Sequence, residues 1–441
     1  MLAVVVVSIA ALLAGASVTS ICLAFGTGFW SLINFTMQMA FVAIGGYVVA
    51  TSRPAAFLIE RLAAYPRDGR TAVGLVAFIS LSTGLINWGL SLIFSGLLVL
   101  ALARHKALTL DYRAAGAAAY LGLGTVWALG LSSSAAQLQA NAASLPKALL
   151  PITGVIPFSE TIFLWQSLTI AGIVSLTGIA IAVASTPRAA QAVTADDLGI
   201  DVSHRELESS GVRVPAEWLE HSPLLTLLIV GLGAGWLIHE FADKPVLVAV
   251  SSLNTYNFLF LMIGLLLHWR PRNFLQAVSH AVPATSGVLI QFPLYGAIAA
   301  ILTQAKNPAG LSLSDQLASA FVHLTTHDTY PLAIGIYSAI LGFFIPSGGG
   351  KWLLEAPYLM QAANTLKVHL GWVVQIYNAA EALPNLINPF WMLPLLGILR
   401  LKARNIIGFT MLQLLVLLPL VLTLLWALAF TLPYHPPQIP G

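Results

Sequence analysis

Glycine, serine and asparagine interrupt long apolar segments of this sequence at several places, and such interruptions can bind small ions. Residues 346–350 read PSGGG, residues 132–134 read SSS, and residues 384–389 read PNLINP. Backbone N–H groups freed by a break can hold an anion. Freed carbonyls, with serine and asparagine side chains, offer oxygen ligands to a cation such as Na⁺. The residue types therefore predict a site for a small carboxylate and a coupling cation.

The candidate substrate-binding residues lie at these breaks or in equivalent predicted spans. They are Asn87, Ser132, Ser133, Ser134, Ser347, Gly348, Gly349, Gly350, Asn385, Asn388, Gln38 and Gln291. Buried amides are costly in lipid unless they are satisfied, which favours a function for Asn87 and Asn385. For serine and glycine the alternative is close helix packing. Packing does not explain a proline beside a glycine triplet.

Ionisable residues inside apolar segments are functional hypotheses by default. Glu381, Asn385 and Asn87 are the candidates for the coupling ion, with Glu381 as a proton carrier or a cation ligand. The alternative for Glu381 is an interfacial position near the outer surface. For Lys351 three interpretations stay open: it holds an anion, it extends to the membrane surface, or it pairs with Glu355 at i+4.

Three motifs resemble enzyme sites without completing them. PSGGGK has Ile345 where a phosphate-binding loop needs glycine, and Trp352 follows the lysine. HLTTH at 323–327 lacks the glutamate of a zinc protease, and we expect its histidines to be exposed in an outer loop. A serine–lysine hydrolase built on Ser347 and Lys351 is an alternative from another class. The sequence predicts no enzyme, no metal site and no cofactor, with Na⁺ as the one candidate coupling metal ion.

Composition places the chain in the membrane. Of its 441 residues, 58% are hydrophobic and 8% are charged, and the mean hydropathy is +0.86. A soluble domain carries about 25% charged residues, so this chain is predicted to be an integral membrane protein in contact with lipid. Long apolar blocks favour helices over a barrel. The scattered basic residues argue against nucleic-acid binding, and the single cysteine, Cys22, excludes an internal disulfide.

The apolar blocks predict the membrane segments. They lie at residues 2–24, 30–51, 73–103, 115–150, 160–187, 223–241, 246–268, 281–304, 329–367, 373–399 and 405–431. The first is expected to be a retained span, because the basic residues that open a signal peptide do not precede it. The polar segment 188–220 carries seven of the 17 acidic residues and predicts a solvated linker.

The basic residues predict two re-entrant hairpins. The positive-inside rule places both flanks of 73–103 in the cytoplasm. As one helix this block would be about 46 Å long, longer than a hydrocarbon core of about 30 Å. We therefore predict a hairpin that turns near residues 86–89, with arms of about 22 Å. The same reasoning predicts a second hairpin at 329–367, which opens to the exterior and turns at PSGGG.

The two halves of the chain are then inverted relative to each other. Gln38 and Gln291 begin weakly similar stretches, QMAFVAIGGY and QFPLYGAIAA. We predict an all-α polytopic membrane protein with two inverted structural repeats, each with a re-entrant helical hairpin and a broken transmembrane helix. The repeats are residues 1–187 and 223–441, joined by a cytoplasmic linker at 188–222. The hairpin tips and helix breaks are expected to meet at mid-membrane.

Several segments resemble the short-chain fatty acid transporters of the AtoE type, within the ion-transporter superfamily of paired-hairpin elevator transporters. The segments are FTMQMAFVAIGGYVVATS, INWGLSLIFSG, MIGLLLHWRP, VLIQFPLYGAI, FFIPSGGGKW and NPFWMLPLLGI. The resemblance implies a multi-pass protein of the bacterial inner membrane that takes up acetoacetate-like or butyrate-like acids. Leu383 stands where the family has tryptophan, and Glu355 where it often has glutamine, so substrate preference is expected to differ.

The combined prediction is a secondary active transporter of short-chain monocarboxylates, coupled to H⁺ or Na⁺ and working in a homo-oligomer. The carboxylate would bind at residues 347–350 and near Asn87. The alternatives are a transporter of another organic anion, such as a dicarboxylate or an antibiotic, the serine hydrolase, and a channel. No arginine lies in a predicted span, which disfavours doubly charged substrates.

Overall fold

Helices make up most of the chain in the computed structural model, which describes residues 1–142, 145–146, 149–202 and 217–439. Those residues contain no β-strand. Seven helical segments in those residues, one of them the broken stretch Tyr112–Gln139, are long and apolar enough to cross a membrane. The chain is therefore an all-helical, multi-pass membrane protein, and this part of the sequence prediction is confirmed.

The first half of the chain contains a helix break that the sequence did not predict. Its helices are α1 (Leu2–Leu13), α2 (Val18–Ser31), α3 (Ile33–Ala50), α4 (Arg53–Ala63), α5 (Gly69–Ile86), α6 (Trp88–Arg104), α7 (Tyr112–Leu121), α8 (Ser134–Gln139), α9 (Leu150–Thr153) and α10 (Trp165–Ser185). The single span predicted at 2–24 is wrong. Gly15 has φ +93°, a left-handed conformation that ends α1 and separates it from α2.

The second half holds the remaining helices. They are α11 (Glu217–His221), α12 (Pro223–Asp243), α13 (Val246–Ser251), α14 (Leu253–His268), α15 (Pro271–Ala281), α16 (Ser286–Gln304), α17 (Leu313–Leu324), α18 (Tyr330–Phe344), α19 (Gly348–Leu366), α20 (Leu370–Ala382), α21 (Leu393–Leu399) and α22 (Ala403–Ala429). The apolar blocks did not predict α4, α15 or α17, because these helices mix polar and apolar residues. In α15 only one stripe is buried, with Ala277 and Ala281 four residues apart.

Helices α5 and α6 fold back on each other at Asn87 and form the first hairpin. Ser80 and Ser91 lie on opposite sides of the break, and the Ser91 hydroxyl donates to the Ser80 carbonyl at 2.7 Å. The helices have 18 and 17 residues, so each arm is about 26 Å long. The predicted arms of about 22 Å were too short. Asp68 starts α5 with a capping box ahead of the apolar block.

Helices α18 and α19 form the second hairpin, and residues 345–347 join them. The Tyr330 hydroxyl, at the start of α18, donates to the Leu359 carbonyl near the end of α19. The Lys351 ammonium reaches the Ser338 carbonyl at 3.1 Å. The re-entrant course of both hairpins stays a prediction, as does the division into inverted repeats at 1–187 and 223–441.

The two halves of the chain interlock. Helix α2 packs along α16 so closely that a Cβ atom on Gly28 would lie 2.5 Å from the Gly296 carbonyl oxygen. Small residues permit this approach of two backbones. Helix α3 packs against α14, where the Asn257 amide donates to the Gln38 carbonyl at 2.8 Å. The helices of one half therefore support the hairpin of the other.

The described part of the linker, residues 188–202, packs on the helix ends that carry basic residues. Lys106 pairs with Asp196 at 2.7 Å, and the Arg400 guanidinium donates to the Asp201 carbonyl at 3.3 Å. Residues 203–216 of the predicted linker lie outside the described residues.

Candidate functional site

Two helices are interrupted: residues 122–133 separate α7 from α8, and residues 383–392 separate α20 from α21. Both hairpin turns contact these interruptions. At the first hairpin, the Trp88 amide donates to the Ser132 hydroxyl at 3.1 Å. At the second, the Trp391 indole donates to the Pro346 carbonyl at 2.7 Å. The rings of Trp88 and Trp391 meet edge to face, with centroids 5.4 Å apart. The interruptions that the sequence placed far apart along the chain thus surround one region.

The glycine triplet lets the tip of the second hairpin enter this region. A Cβ atom on Gly348 would collide with the Trp127 ring, and one on Gly349 would lie 2.7 Å from the Phe35 ring. A Cβ atom on Gly350 would collide with the Tyr295 ring. Only glycine allows the start of α19 to touch α3, α16 and the first interrupted helix together.

A small pocket lies where these elements meet. Its cavity volume is about 30 Å³. The lining residues are Met39, Trp88, Leu123, Trp127, Ser134, Val288, Phe292, Gly348 and Trp391. The lining is aromatic and aliphatic except at one corner, which Ser134 and the backbone of Gly348 form.

That corner lies at the N-terminus of a 19-residue helix, α19. Ser347 occupies the N-cap position, but its side chain caps no N–H group of the helix. Its hydroxyl lies near the Tyr295 hydroxyl without a hydrogen bond of normal geometry. The buried indole N–H of Trp127 also has no acceptor. Uncapped N–H groups, the positive end of a helix dipole and a free indole donor suit a carboxylate.

A larger cavity of about 430 Å³ adjoins the pocket and shares Val288 and Trp391 with its lining. It reaches Tyr47, near the end of α3, and Ile398, which is two residues before Arg400. This vestibule therefore extends toward the basic loops, and Val288 and Trp391 stand between it and the pocket.

Two predicted site residues serve as helix caps instead of lining the pocket. Asn87 begins α6, where its side-chain oxygen accepts from the Leu90 amide at 2.9 Å. Its NH₂ group donates to the Tyr256 hydroxyl at 2.9 Å. The Ser133 hydroxyl accepts from the Ala136 amide at the start of α8. These polar groups already have partners in this conformation.

The predicted glutamines and Asn388 also lie outside the pocket lining. The Gln38 amide donates to Asn254 at 2.8 Å between α3 and α14. Gln291 accepts from the Tyr295 hydroxyl at 3.4 Å, which connects it to the Ser347 corner. Asn388 donates to a carbonyl of the second hairpin at 2.8 Å. The structure thus brings Ser134, Ser347 and the glycine triplet together and leaves the glutamines and Asn388 in supporting positions.

The charged candidates lie beneath the hairpin tip. Lys351 pairs with Glu355 at 2.6 Å, and neither side chain is exposed, so the i+4 interpretation holds. Because this ammonium is engaged, it is not a free base for a hydrolase at Ser347. Glu381 is 1% exposed and its carboxylate has no hydrogen-bond partner, so it lies inside the protein, and its depth in the membrane stays a prediction. The side-chain oxygen of Asn385 likewise has no partner.

The HLTTH histidines lie away from this region. His323 and His327 are both exposed, although His323 belongs to α17 and not to a loop. The part of the chain that the structure describes contains no group of three or more His, Cys, Asp or Glu residues that could hold a metal ion.

Sequence reasoning missed the aromatic lining. Trp88 directly follows Asn87, and Trp391 comes two residues after Pro389. Tryptophan beside a predicted break was the available signal, because its large apolar ring carries an N–H group that usually finds a hydrogen-bond partner when buried, and a break supplies free carbonyls. Phe292 gave no comparable signal, since it stands inside an ordinary apolar helix.

The sequence matches the family described as short chain fatty acid transporter over residues 1–428. It is 31% identical over 385 residues to a protein of Escherichia coli (strain K12), covering 87% of this chain and 84% of that protein. It is 29% identical over 403 residues to a protein of Haemophilus influenzae (strain ATCC 51907 / DSM 11121 / KW20 / Rd), covering 90% and 87%. Both relatives are named for short-chain fatty acid transport.

Two solved transporter structures share the fold. The YdaH transporter of Alcanivorax borkumensis has a TM-score of 0.60 at 16% identity, covering 93% of this chain and 89% of that chain. MtrF of Neisseria gonorrhoeae, described within a class of antimetabolite efflux pumps, has a TM-score of 0.62 at 15% identity, covering 100% and 96%. At these identities the likeness concerns the fold alone.

Proposed function

This chain belongs to the short-chain fatty acid transporter family, and we propose that it is a secondary active transporter of short-chain monocarboxylates such as acetoacetate or butyrate. It is a transporter and not an enzyme. We place it in the bacterial inner membrane, where an H⁺ or Na⁺ gradient drives uptake.

The observation that carries this proposal is that the pocket has one polar corner and an otherwise apolar wall. One corner presents the uncapped start of α19, with Ser347, Ser134 and the free indole donor of Trp127 nearby. The remaining wall is apolar, and Trp88 and Trp391 form much of it. A short-chain fatty acid has the same two parts, a single carboxylate and a short apolar tail.

The charges around the pocket favour a substrate with one negative charge. No basic side chain lines the pocket, and Lys351 below it is already neutralised by Glu355. A second carboxylate would have to lie unpaired among tryptophan rings, which is costly. This arrangement disfavours a dicarboxylate.

The cavities support alternating access. At about 30 Å³, the pocket is far smaller than the vestibule of about 430 Å³, and we propose that it widens to take up substrate. The vestibule reaches toward the basic loops, which the positive-inside rule assigns to the cytoplasm. We propose that both hairpins carry the pocket past a scaffold that includes α2, α3, α14 and α16, in an elevator-type movement within a homo-oligomer. Glu381 and Asn385 are the coupling-ion candidates, and Asn87 joins them only by exchanging its present hydrogen bonds.

Transport by the purified full chain in proteoliposomes tests the proposal. We expect saturable uptake of labelled butyrate and acetoacetate, stimulated by an imposed H⁺ or Na⁺ gradient. Unlabelled short monocarboxylates should compete and succinate should not. Liposomes without protein are the control. Absence of saturable uptake for every small carboxylate tested contradicts the proposal, and competition by succinate alone favours the dicarboxylate alternative.

A further inference from the structure

Two oppositely charged side chains are fully buried beneath the tip of the second hairpin. Lys351 and Glu355 lie one turn apart on α19, with 2.6 Å between Nζ and Oε1, and both side chains are 0% exposed. Ser338 on α18 binds both partners. Its hydroxyl donates to Glu355 Oε2 at 2.6 Å, and its carbonyl accepts from the Lys351 ammonium at 3.1 Å. The pair is neutral and well hydrogen bonded.

A third ionisable side chain close to this pair has no partner. Glu381 on α20 is 1% exposed, and neither of its carboxylate oxygens makes a hydrogen bond. One turn earlier on α20, the ring of Tyr377 lies under the Lys351 ammonium, 4.3 Å from Nζ to the ring centroid. Glu381 is therefore within electrostatic reach of both Lys351 and Glu355.

The cluster formed by Lys351, Glu355 and Glu381 can accept one further positive charge. One lysine and two ionised glutamates would carry a net charge of −1, and an unpaired buried carboxylate is costly. We propose that the cluster binds one transported proton, that Glu381 carries it, and that Lys351 keeps Glu355 ionised. This inference rests on the proposed function and deepens it by choosing H⁺ as the coupling ion.

The surroundings of Glu381 favour a proton over a sodium ion. Sodium requires several oxygen ligands. A proton requires a single lone pair. Besides the ion pair, the titratable groups that face Glu381 are the phenols of Tyr120 on α7, Tyr295 on α16 and Tyr377 on its own helix. A phenol can donate to the carboxylate or accept from the carboxylic acid.

Tyr377 connects the cluster to the pocket. The Tyr377 hydroxyl donates to the carbonyl of Gly348, which lines the pocket. Glu381 also packs on the other arm of the hairpin, since a Cβ atom on Gly342 would lie 3.1 Å from the Glu381 carbonyl oxygen. Glu381 would gain a proton on one side of the membrane and release it on the other. Both changes therefore act on α18 and α19, the two arms of the hairpin that holds the substrate.

The first experiment needs no substrate. Infrared difference spectra of the purified full chain between low and high pH should show the carboxylic C=O band of a buried glutamic acid. The band should be lost in Glu381→Gln and retained in Glu240→Gln, which breaks a surface ion pair with Lys244. Glu381→Asp keeps a carboxyl group and should shift the band. A band that stays unchanged in Glu381→Asp or Glu381→Gln overturns the assignment.

The second experiment separates coupling from binding. In proteoliposomes, Glu381→Gln should reduce stimulation of butyrate uptake by an imposed pH gradient by a much larger factor than it reduces exchange of labelled butyrate without a gradient. Loss of exchange and stimulation by the same factor indicates a structural role and overturns the proposal. Stimulation of the unmodified chain by a sodium gradient, lost in Glu381→Gln, also overturns it. If the unmodified chain exchanges no carboxylate, the proposed function fails while the infrared result still decides where the proton binds.

Discussion

The indole of Trp391 donates a 2.7 Å hydrogen bond to the carbonyl of Pro346, and this bond joins the second interrupted helix to the tip of the second hairpin. Pro346 precedes the free start of α19, and Trp391 separates the pocket from the vestibule. One contact therefore holds the residues that precede α19 and involves a side chain that lies between the pocket and the vestibule.

Trp391→Phe should reduce butyrate uptake about tenfold, because it keeps an aromatic ring but removes a partly buried hydrogen bond worth about 1 kcal/mol and leaves the Pro346 carbonyl without this partner. Initial rates in proteoliposomes measure the effect. Trp426→Phe is the matched control, since Trp426 donates a similar bond of 3.0 Å to the Asp328 carbonyl, away from the pocket. Equal effects of the two substitutions would contradict the assigned role.

Ser347→Ala and Ser134→Ala should each raise the KM for butyrate about tenfold, because a hydrogen bond to a charged group contributes about 1.5–3 kcal/mol. Concentration dependence of uptake measures this. Ser279→Ala is the control, since that hydroxyl bonds only to its own helix at the Leu275 carbonyl. If both pocket variants keep the original KM, the carboxylate binds elsewhere.

Gly350→Ala should abolish transport, because the added Cβ atom collides with the Tyr295 ring and pushes the start of α19 out of place. Gly172→Ala on α10 is the matched control, with no atom within 4 Å of its Cβ position. Uptake and size-exclusion profiles should be compared for both. A fully active Gly350→Ala protein would show that the tip is not tightly packed during transport.

Single-cysteine labelling in a Cys22→Ser background tests the hairpins. Arg70 and Lys106 flank the first hairpin, Asp328 and Lys367 flank the second, and all four are exposed. Re-entrant hairpins require that the first pair react with a membrane-impermeant reagent from one side only and the second pair from the other side only. If the two flanks of either hairpin react from opposite sides, that hairpin crosses the membrane, and the inverted-repeat prediction fails.

His369, in the connection between α19 and α20, should make stability depend on pH. Burial, with a smaller effect of His435, lowers the pKa of His369 from 6.5 to about 4, and the neutral ring accepts from the Trp372 amide at 3.0 Å. The unfolded chain then binds a proton first, so stability falls as pH drops from 6.5 toward 4 and levels off below that. The loss should be on the order of 2 kcal/mol for a partly buried group.

His369→Asn provides the check on that pH dependence. Asparagine is a good N-cap without a titrating group, so the thermal midpoint of the purified protein should become less sensitive over the same pH range. An unchanged pH profile in His369→Asn would assign the dependence to other groups.

The sequence by itself determined the membrane class, the helical composition and several of the places where helices break, although not the break between α1 and α2. These properties are local: apolar length dictates a helix in lipid, and proline, glycine and asparagine interrupt it wherever the chain goes. The tertiary structure alone decided which polar groups remain free at those breaks. The side-chain NH₂ group of Asn87 donates to the hydroxyl of Tyr256, 169 residues away, whereas no side chain caps the start of α19. The i+4 spacing already offered Glu355 as a partner for Lys351. Hydrogen bonds such as that of Asn87 depend on partners distant in sequence, and no local pattern encodes that the Glu381 carboxylate is left without one.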